Sequence, residues 1–208
     1  MTAHTTPIAV IGAGIMGAGI AQVAAQAGHP VKLHDARPGA AADAKARLGA
    51  TLDGLVAKGR LTAESAAATL QRITPIEQLP QAEGARIAIE AIVEDLAAKR
   101  ALFRELEALL PADAILATNT SSISVTAIAN GLQRPGRLIG MHFFNPVPLM
   151  KLVEVVSGLQ TKPAVAAAIF ELSKAWGKVP VHAKSTPGFI VNRIARPYYA
   201  EALALLLE

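Results

Sequence analysis

The amino-acid sequence predicts an α/β protein in which helices cover both faces of a doubly wound, mainly parallel β-sheet. Short apolar runs such as PIAVI at 7–11 and RIAIEAIVE at 86–94 are typical of strands that are buried on both faces. Longer segments with helical periodicity alternate with these runs along the chain. Strands that alternate with helices indicate βαβ units, whose strands lie parallel to one another.

The predicted elements follow one another with short connections. Gly28 is well placed to end the first helix, because glycine readily adopts the left-handed conformation found just after many helices. The KGRLT sequence at 58–62 interrupts a long helical pattern, which predicts a helical hairpin that projects from the domain as an insertion. We predict strands at 7–11, 31–35, 86–94, 137–144, 151–156 and 178–183, and a strand at 114–122 that leads into a polar loop. We predict helices at 15–27, about 40–58, 62–71, 95–110, about 125–131 and 163–176.

The C-terminal segment, STPGFIVNRIARPYYAEALALLLE at 185–208, has a different character. We expect Thr186 to be an N-cap and Pro187 to occupy the first helical position. The long helix that follows carries apolar residues on most sides, and such a helix needs packing partners around it. We therefore predict one α/β domain at 1–185 and, at 186–208, the first helix of a truncated α-helical domain whose remainder is absent from this chain.

Composition and charge narrow the range of functions. The chain has 208 residues and no cysteine, which excludes disulfides and thiolate chemistry and fits a reducing compartment. Its net charge is +4, but the lysines and arginines are scattered rather than clustered. The basic segment AAKRALFRELE at 97–107 has the mixed charges of an ordinary amphipathic helix. We therefore expect no nucleic-acid partner.

The segment 7–28 is the one candidate for a signal peptide or a membrane span. It contains five glycines and two glutamines, and no basic residue flanks it on the N-terminal side. We reject both interpretations and expect a soluble cytoplasmic protein. We also predict no metal site, because four of the histidines show no metal-ligand spacing. They are His4, His29, His34 and His182.

A glycine motif carries the first functional signal. GAGIMG places Gly12, Gly14 and Gly17 in the pattern G-x-G-x-x-G, after a predicted strand and at the start of a predicted helix. In a dinucleotide-binding domain of the Rossmann type, the first glycine permits the tight turn. The second lets a pyrophosphate approach the helix N-terminus, and the third allows close helix–strand packing. Asp35 would accept hydrogen bonds from ribose hydroxyls and favour NAD over NADP, although Arg37 softens that preference. The alternative is a glycine-rich turn without a ligand.

A second signal is GMHFFNPVPLMKLVE at 140–154, an apolar stretch that contains His142 and Glu154. Glu154 shares a strand face with Leu152 and Val156, and a carboxylate on an apolar face is costly unless it is paired. The NPVP sequence predicts a turn that returns the chain beside the first strand. Two interpretations remain open from these residues alone: a core histidine with an unrelated glutamate, or an acid–base pair.

Five motifs, in order, resemble the L-3-hydroxyacyl-CoA dehydrogenases, including the 3-hydroxybutyryl-CoA enzymes. They are IAVIGAGIMGAGIA, EAIVED, TNTSS, GMHFFNPVPLMKLVEVV and TPGFIVNRI, and the resemblance spans residues 7–208. It is greatest to bacterial members that act on short acyl-CoAs or on intermediates of the 3-hydroxyadipyl-CoA type. The resemblance implies an NAD-dependent enzyme of fatty acid metabolism and β-oxidation. Such an enzyme reversibly oxidises L-3-hydroxyacyl-CoA to 3-ketoacyl-CoA.

The resemblance also implies roles for individual residues. His142 is similar to the family's catalytic base, and Glu154 to the carboxylate that orients it. Ser121 and Asn192 are similar to the residues that hold the substrate's 3-oxygen. The other residues expected to contact NAD are Ile15, Met16, Glu94, Lys99 and Asn119. Asn145 is expected to contact the acyl-CoA substrate. Lys58 is a looser match to a lysine that meets the CoA phosphates.

Family members carry a further helical domain that closes the acyl-CoA cleft and forms a dimer, so the resemblance implies a homodimer for a full-length protein. Two alternatives stay open. One is a related NAD-dependent dehydrogenase of the gulonate type, which oxidises a free sugar acid. The other is an NAD-binding module whose histidine–glutamate pair is idle because the second domain is absent.

Overall fold

One eight-stranded β-sheet organises residues 6–207, the part of the chain that the computed structural model describes. The strands are β1 (Ile8–Ile11), β2 (Val31–His34), β3 (Ile73–Ile76), β4 (Ile87–Glu90), β5 (Ile115–Thr118), β6 (Leu138–Phe143), β7 (Leu152–Ser157) and β8 (Val179–Lys184). The α-helices are α1 (Ile15–Gln26), α2 (Ala40–Ala57), α3 (Ala63–Gln71), α4 (Leu96–Leu109), α5 (Val125–Ala129), α6 (Pro163–Ala175) and α7 (Val191–Leu205). Short 3-10 helices cover Leu79–Ala82 and Pro135–Arg137.

The strand order across the sheet is β3-β2-β1-β4-β5-β6-β7-β8. Strands β1 to β6 are parallel, β7 runs antiparallel to β6, and β8 is parallel to β7. The chain winds outward in one direction from β1 to β3 and in the other from β4 to β8. The predicted doubly wound, mainly parallel α/β fold is therefore confirmed, and its crevice lies between β1 and β4, where ligands bind in such sheets.

Two apolar cores sit on the two faces of the sheet because the central strands carry apolar residues towards both faces. On one face, Ile8 and Val10 of β1 pack with the buried side of α1. On the other, Ala9 and Ile11 pack with Phe103 of α4. All four residues of β1 and all four of β4 are buried. This double burial explains why these strands read as continuous apolar runs rather than as alternating patterns.

The predicted hairpin of α2 and α3 is present, but it lies against the sheet rather than projecting from it. Leu48 and Leu52 of α2 are buried in the first core, and α3 packs against α1. The chain then enters β3, an edge strand that the sequence analysis missed. Pro75 in β3 removes a backbone donor, which is tolerated at the edge of a sheet but obscures the strand signal.

The last helix begins later than predicted. Gly188 (φ +74°) and Phe189 (φ +48°) both adopt left-handed conformations, and the Phe189 amide donates to the Thr186 carbonyl in a tight turn. Thr186 is therefore not an N-cap, and Pro187 is not the first helical residue. Within the described chain, no residue of α7 is buried. Its exposed apolar side chains are Ile194, Tyr198, Tyr199, Leu203 and Leu205.

The apolar segment 7–28 divides into β1, the glycine turn and α1. Helix α1 has 12 residues, whereas crossing a bilayer takes about 20. Among residues 6–207, no helix combines the length and the apolar character that a membrane span requires.

We predict that Gly17→Ala destabilises the fold, because a Cβ at this position would collide with the carbonyl oxygen of Gly12. The expected loss is about 1–3 kcal/mol in the free energy of unfolding, which is typical of overpacking. Urea titration followed by circular dichroism measures it.

Gly54→Ala is the matched control, because Gly54 lies in α2 and no atom stands within 4 Å of its added Cβ. This variant should gain roughly 0.5–1 kcal/mol from helix propensity. Equal stabilities of the two variants would contradict the packing role assigned to Gly17.

Candidate active site

The glycine turn lies at the sheet edge where β1 and β4 end, and its three glycines have distinct environments. Gly12 has φ +103°, and a Cβ there would collide with the Ala91 carbonyl at the end of β4. Gly17 allows α1 to pack against the turn. Gly14 precedes α1, and nothing lies within 4 Å of a Cβ built on it. The space above Gly14 and the N-terminus of α1 therefore suits a pyrophosphate, as the motif predicts.

Asp35 lies beside this turn, immediately after β2. Its Oδ2 accepts a hydrogen bond of 2.7 Å from the Ala13 amide, and its Oδ1 accepts one of 3.0 Å from the Arg37 amide. The carboxylate thus ties the end of β2 to the glycine turn. A carboxylate oxygen has room for more than one hydrogen bond, so Asp35 retains acceptor capacity for ribose hydroxyls.

The antiparallel pair of β6 and β7 places His142 directly opposite Glu154, as the NPVP turn predicts. The His142 Nδ1 and the Glu154 Oε2 are 2.6 Å apart, and both side chains are buried. The other oxygen of Glu154 accepts hydrogen bonds of 2.9 Å from the Ile190 and Val191 amides at the start of α7. The acid–base interpretation predicts this pairing, and an unrelated glutamate would not produce it.

The pKa of Glu154 reflects competing influences. Burial raises the pKa, but the hydrogen bond from His142, the Val191 and Ile190 amides and the attraction of His142 together lower it below its ordinary value. Glu154 is therefore ionised and holds the Nδ1 side of His142. The second ring nitrogen, Nε2, is left for a substrate.

Two aromatic rings enclose His142. The centroid of the Phe144 ring lies 4.5 Å from that of the imidazole, and the centroid of Phe189 lies 5.8 Å away. Phe189 is buried although it belongs to the left-handed turn before α7. Phe189 was not predicted from the sequence, where the glycine before it was the available signal. The rings surround the pair with apolar, water-poor walls.

A second carboxylate, Glu94, organises the loop that follows β5. Its Oε1 accepts hydrogen bonds from the Thr120 hydroxyl at 2.6 Å, the Ser121 amide at 2.9 Å and the Ser122 amide at 3.2 Å. The Asn192 amide group donates to the Ser121 carbonyl at 3.2 Å, which joins this loop to α7. Burial raises the pKa of Glu94, but the Thr120 and Ser121 bonds and nearby Lys99 lower it below its ordinary value.

Lys99 lies beneath Glu94 rather than at the surface of the site. Its Nζ is 2.5 Å from the Glu90 Oε1 and 3.3 Å from the Glu94 Oε2, and it is only 1% exposed. Glu90 is fully buried at the end of β4 and also accepts from the Thr118 hydroxyl at 2.6 Å. Glu90 was not predicted as a site residue, although a glutamate inside the apolar IAIEAI run was a visible signal. Lys99 supports Glu94, and its contact with a cofactor stays a prediction.

A cavity of about 430 Å³ joins these groups at the carboxyl edge of the sheet. Asn119 lines it and is fixed by accepting a 2.8 Å hydrogen bond from the Phe143 amide, which links β5 to β6. The structure therefore brings together residues predicted from distant parts of the sequence. The predicted site residues that line this cavity are Met16, Glu94, Asn119, Ser121, His142, Asn145 and Asn192.

Asn145 also borders a second cavity, of about 390 Å³, that lies between α1 and α2 and includes Ile15 in its wall. The turn that carries Asn145 is anchored by buried Lys178, whose Nζ donates to the Val147 carbonyl at 2.5 Å and to the Met150 carbonyl at 2.9 Å. The two cavities thus meet at Asn145.

Lys58, predicted to contact the substrate, lies away from both cavities. It is exposed at the C-terminal end of α2 and lines neither of them. Its proposed contact with CoA phosphates stays a prediction.

The other histidines lie apart from the site. His29 bonds the Thr6 carbonyl at 3.0 Å, His34 lies within 3.3 Å of the Ile76 carbonyl, and His182 stacks on Phe170. His4 lies outside the described residues. Within 6–207, no three histidine, aspartate or glutamate side chains gather as a metal site would require.

We predict that Glu154 makes folding stability pH-dependent in the acid range. Because its folded-state pKa is below the unfolded value of 4.5, its stabilising contribution is fully present above pH 4.5 and is lost as the pH falls through the folded-state pKa. Glu154→Gln should lower the melting temperature at neutral pH and flatten its decline on acidification. Thermal melts across the acid range measure both effects.

The exposed Glu171 supplies the control, because its partner Lys174 is also exposed. Glu171→Gln should leave the acid dependence as it is. An identical acid dependence in wild type and Glu154→Gln would contradict the prediction.

We predict that Lys99→Met destabilises the protein by about 3–5 kcal/mol, because it leaves the buried Glu90 carboxylate without its counter-ion. Adding Glu90→Gln to this variant should restore part of the loss by removing the uncompensated charge. Chemical denaturation of the single and double variants measures the difference. A double variant no more stable than Lys99→Met would contradict the ion-pair explanation.

The chain is similar to known proteins of one family. The family model of the 3-hydroxyacyl-CoA dehydrogenase NAD-binding domain matches residues 7–186. The chain is 50% identical over 208 residues to 3-hydroxyadipyl-CoA dehydrogenase of Escherichia coli (strain K12), covering 100% of this chain and 44% of that relative. It is 45% identical over 201 residues to 3-hydroxybutyryl-CoA dehydrogenase of Clostridioides difficile, covering 97% and 72% of the two chains.

A solved structure shows the same architecture. The crystal structure of 3-hydroxybutyryl-CoA dehydrogenase from Escherichia coli K12 aligns with a TM-score of 0.94 and 51% identity, over 97% of this chain and 43% of that chain. The chain therefore spans less than half the length of these Escherichia coli proteins. The matched family and the shared fold lead to one conclusion: this chain belongs to the 3-hydroxyacyl-CoA dehydrogenase family, as its NAD-binding domain.

Proposed function

We propose that the protein containing this chain is an NAD-dependent dehydrogenase that reversibly converts L-3-hydroxyacyl-CoA to 3-ketoacyl-CoA. The observation that carries the proposal is the buried His142–Glu154 pair at a cavity that Ser121 and Asn192 also line. Oxidation of a secondary alcohol needs a base for the hydroxyl proton and a hydride acceptor beside it. The pair supplies the base, and the adjacent glycine turn is the site for the cofactor.

The proton is the part of the reaction that this chain's own residues handle. Bound NAD supplies the hydride acceptor for C3. His142 takes the hydroxyl proton at Nε2, because Nδ1 is held by Glu154. Glu154 fixes the tautomer of the imidazole and stabilises the imidazolium that forms. The apolar rings of Phe144 and Phe189 exclude water and so strengthen this interaction.

The cofactor and the substrate would be held beside the catalytic pair by different structural elements. The pyrophosphate would bind at the N-terminus of α1 and the glycine turn that contains Gly12, Gly14 and Gly17. Asp35 would hold the adenosine ribose, because it lies beside this turn at the same end of the crevice. The cavity residues Met16, Glu94 and Asn119 would border the nicotinamide. Lys99 would act by holding Glu94, and Ile15 would border the pyrophosphate.

The substrate oxygen would be held by the Ser121 hydroxyl and the Asn192 amide, which lie on adjacent segments joined by a hydrogen bond. Asn145 would contact the thioester arm where the two cavities meet. Beyond it, the CoA moiety would run along α2 towards Lys58. The exposed position of Lys58 is compatible with a phosphate contact.

We further propose that residues 1–185 form the NAD-binding domain and that 186–208 begin a helical domain, with a homodimer as the assembled protein. The support is α7, which has no buried residue and whose exposed apolar side chains need a covering surface, together with the greater length of the matched relatives. The absence of cysteine fits a cytoplasmic enzyme. The role in fatty acid β-oxidation follows from the substrate class.

We predict that His142→Ala lowers kcat for oxidation of 3-hydroxybutyryl-CoA by about 10²- to 10⁴-fold, as loss of a positioned general base does. The measurement is NADH formation by the full-length protein. NADH binding, followed by fluorescence, should remain, because His142 is not in the glycine turn.

His182→Ala is the matched control, since His182 is exposed on β8 and lies outside the cavity. It should keep wild-type kinetics. Full activity of His142→Ala would refute the proposed base. Activity with a free 3-hydroxy acid but none with its CoA thioester would favour the sugar-acid alternative. Binding of NADH without turnover by residues 1–208, with turnover restored in the full-length protein, would favour an NAD-binding module that is idle on its own.

A further inference from the structure

Arg196 lies on the wall of the proposed active site, although neither the glycine motif nor the histidine pair accounts for it. It is four residues after Asn192 on α7, so the two side chains project from the same face of the helix. The Asn192 amide donates to the Ser121 carbonyl, which turns this face towards the catalytic loop. Both side chains line the cavity that contains His142.

The charges around this cavity leave Arg196 without a counter-ion. Glu94, the carboxylate in the cavity wall, is already bound to Lys99 and to the Thr120 hydroxyl and loop amides. Across residues 6–207, none of the ion pairs or side-chain hydrogen bonds of the structure includes the Arg196 guanidinium. An exposed guanidinium presents a planar set of donors that matches a carboxylate in geometry and charge.

The position of Arg196 also indicates which end of a substrate it would meet. Phosphate groups of the cofactor and of CoA would lie over α1 and α2, which border the glycine turn and the second cavity. Arg196 instead lies on α7, about one helical turn, roughly 5.4 Å, beyond Asn192. That distance corresponds to roughly three or four carbon–carbon bonds of about 1.5 Å beyond the oxygen-bearing carbon.

We propose that Arg196 binds a carboxylate at the far end of the acyl chain, so that the preferred substrate is a dicarboxylic 3-hydroxyacyl-CoA rather than one with a methyl end. The inference rests on the proposed function and makes Arg196 a specificity-determining residue. Because the contact lies several bonds from the reacting carbon, it acts in the ground state and in the transition state alike. It therefore lowers KM rather than raising kcat.

The test compares 3-hydroxyadipyl-CoA with 3-hydroxyhexanoyl-CoA, which differ only in a terminal carboxylate or methyl group. Wild-type full-length protein should prefer the adipyl substrate. Arg196→Met should lower kcat/KM for that substrate by about 10- to 100-fold, through KM, the range expected for a lost hydrogen bond to a charged group. It should leave the kinetics with 3-hydroxyhexanoyl-CoA unchanged, and Arg196→Lys should recover part of the preference by restoring the charge.

Arg193→Met is the control, because Arg193 is an exposed arginine of the same helix that does not line the cavity. It should preserve the preference. An equal loss with both substrates, no loss with either, or a wild-type preference for the hexanoyl substrate would each overturn the inference while leaving the dehydrogenase proposal intact. Oxidation of neither substrate by wild type would overturn the proposed function itself.

Discussion

The site depends on one buried carboxylate, Glu154, because its two oxygens hold two different parts of the molecule. One oxygen fixes the His142 imidazole from the neighbouring strand, and the other accepts the first amides of α7 from Ile190 and Val191. A fully buried charge is unfavourable without such partners, and here the hydrogen bonds and the positive end of the helix dipole compensate it. The orientation of the histidine and the placement of the helix carrying Asn192 and Arg196 therefore share a single electrostatic anchor.

Glu94, which lines the cavity, repeats this arrangement. It gathers the Thr120 hydroxyl and the Ser121 and Ser122 amides into a fixed loop, and buried Lys99 holds it from below. Parallel strands make this convergence possible, because β1, β4, β5 and β6 all end at the same sheet edge. Residues that are more than a hundred positions apart in the sequence thus lie close together, because the strand backbones bring them to the same edge. In both cases a carboxylate binds backbone amides, so the site is built on rigid backbone segments.

Local signals predicted most of the fold, and tertiary contacts account for the errors. The strands β1 and β4 and the glycine turn follow from apolar runs and motif spacing. The residues alone left the pairing of His142 with Glu154 open, and the family resemblance predicted it. Strand β3 escaped prediction because Pro75 weakens its signal while pairing with β2 stabilises it. The start of α7 was misplaced because Thr-Pro is typical of a helix start, whereas Glu154, far away in sequence, selects the amides that begin the helix. Glu90 was missed because its partner Lys99 lies on the following helix.

The turn before α7 shows how backbone conformation serves the site. A non-glycine residue with positive φ costs free energy, of the order of 1–3 kcal/mol in strained cases, and Phe189 adopts φ +48°. With this conformation the Phe189 ring packs against His142, and the next two amides reach Glu154. A regular helix beginning at Pro187 would lack this turn, because residues 187–191 would all follow one helical path. The left-handed turn therefore stabilises the ionised Glu154 carboxylate and also shields the His142 imidazole from water. A proton-accepting histidine needs both.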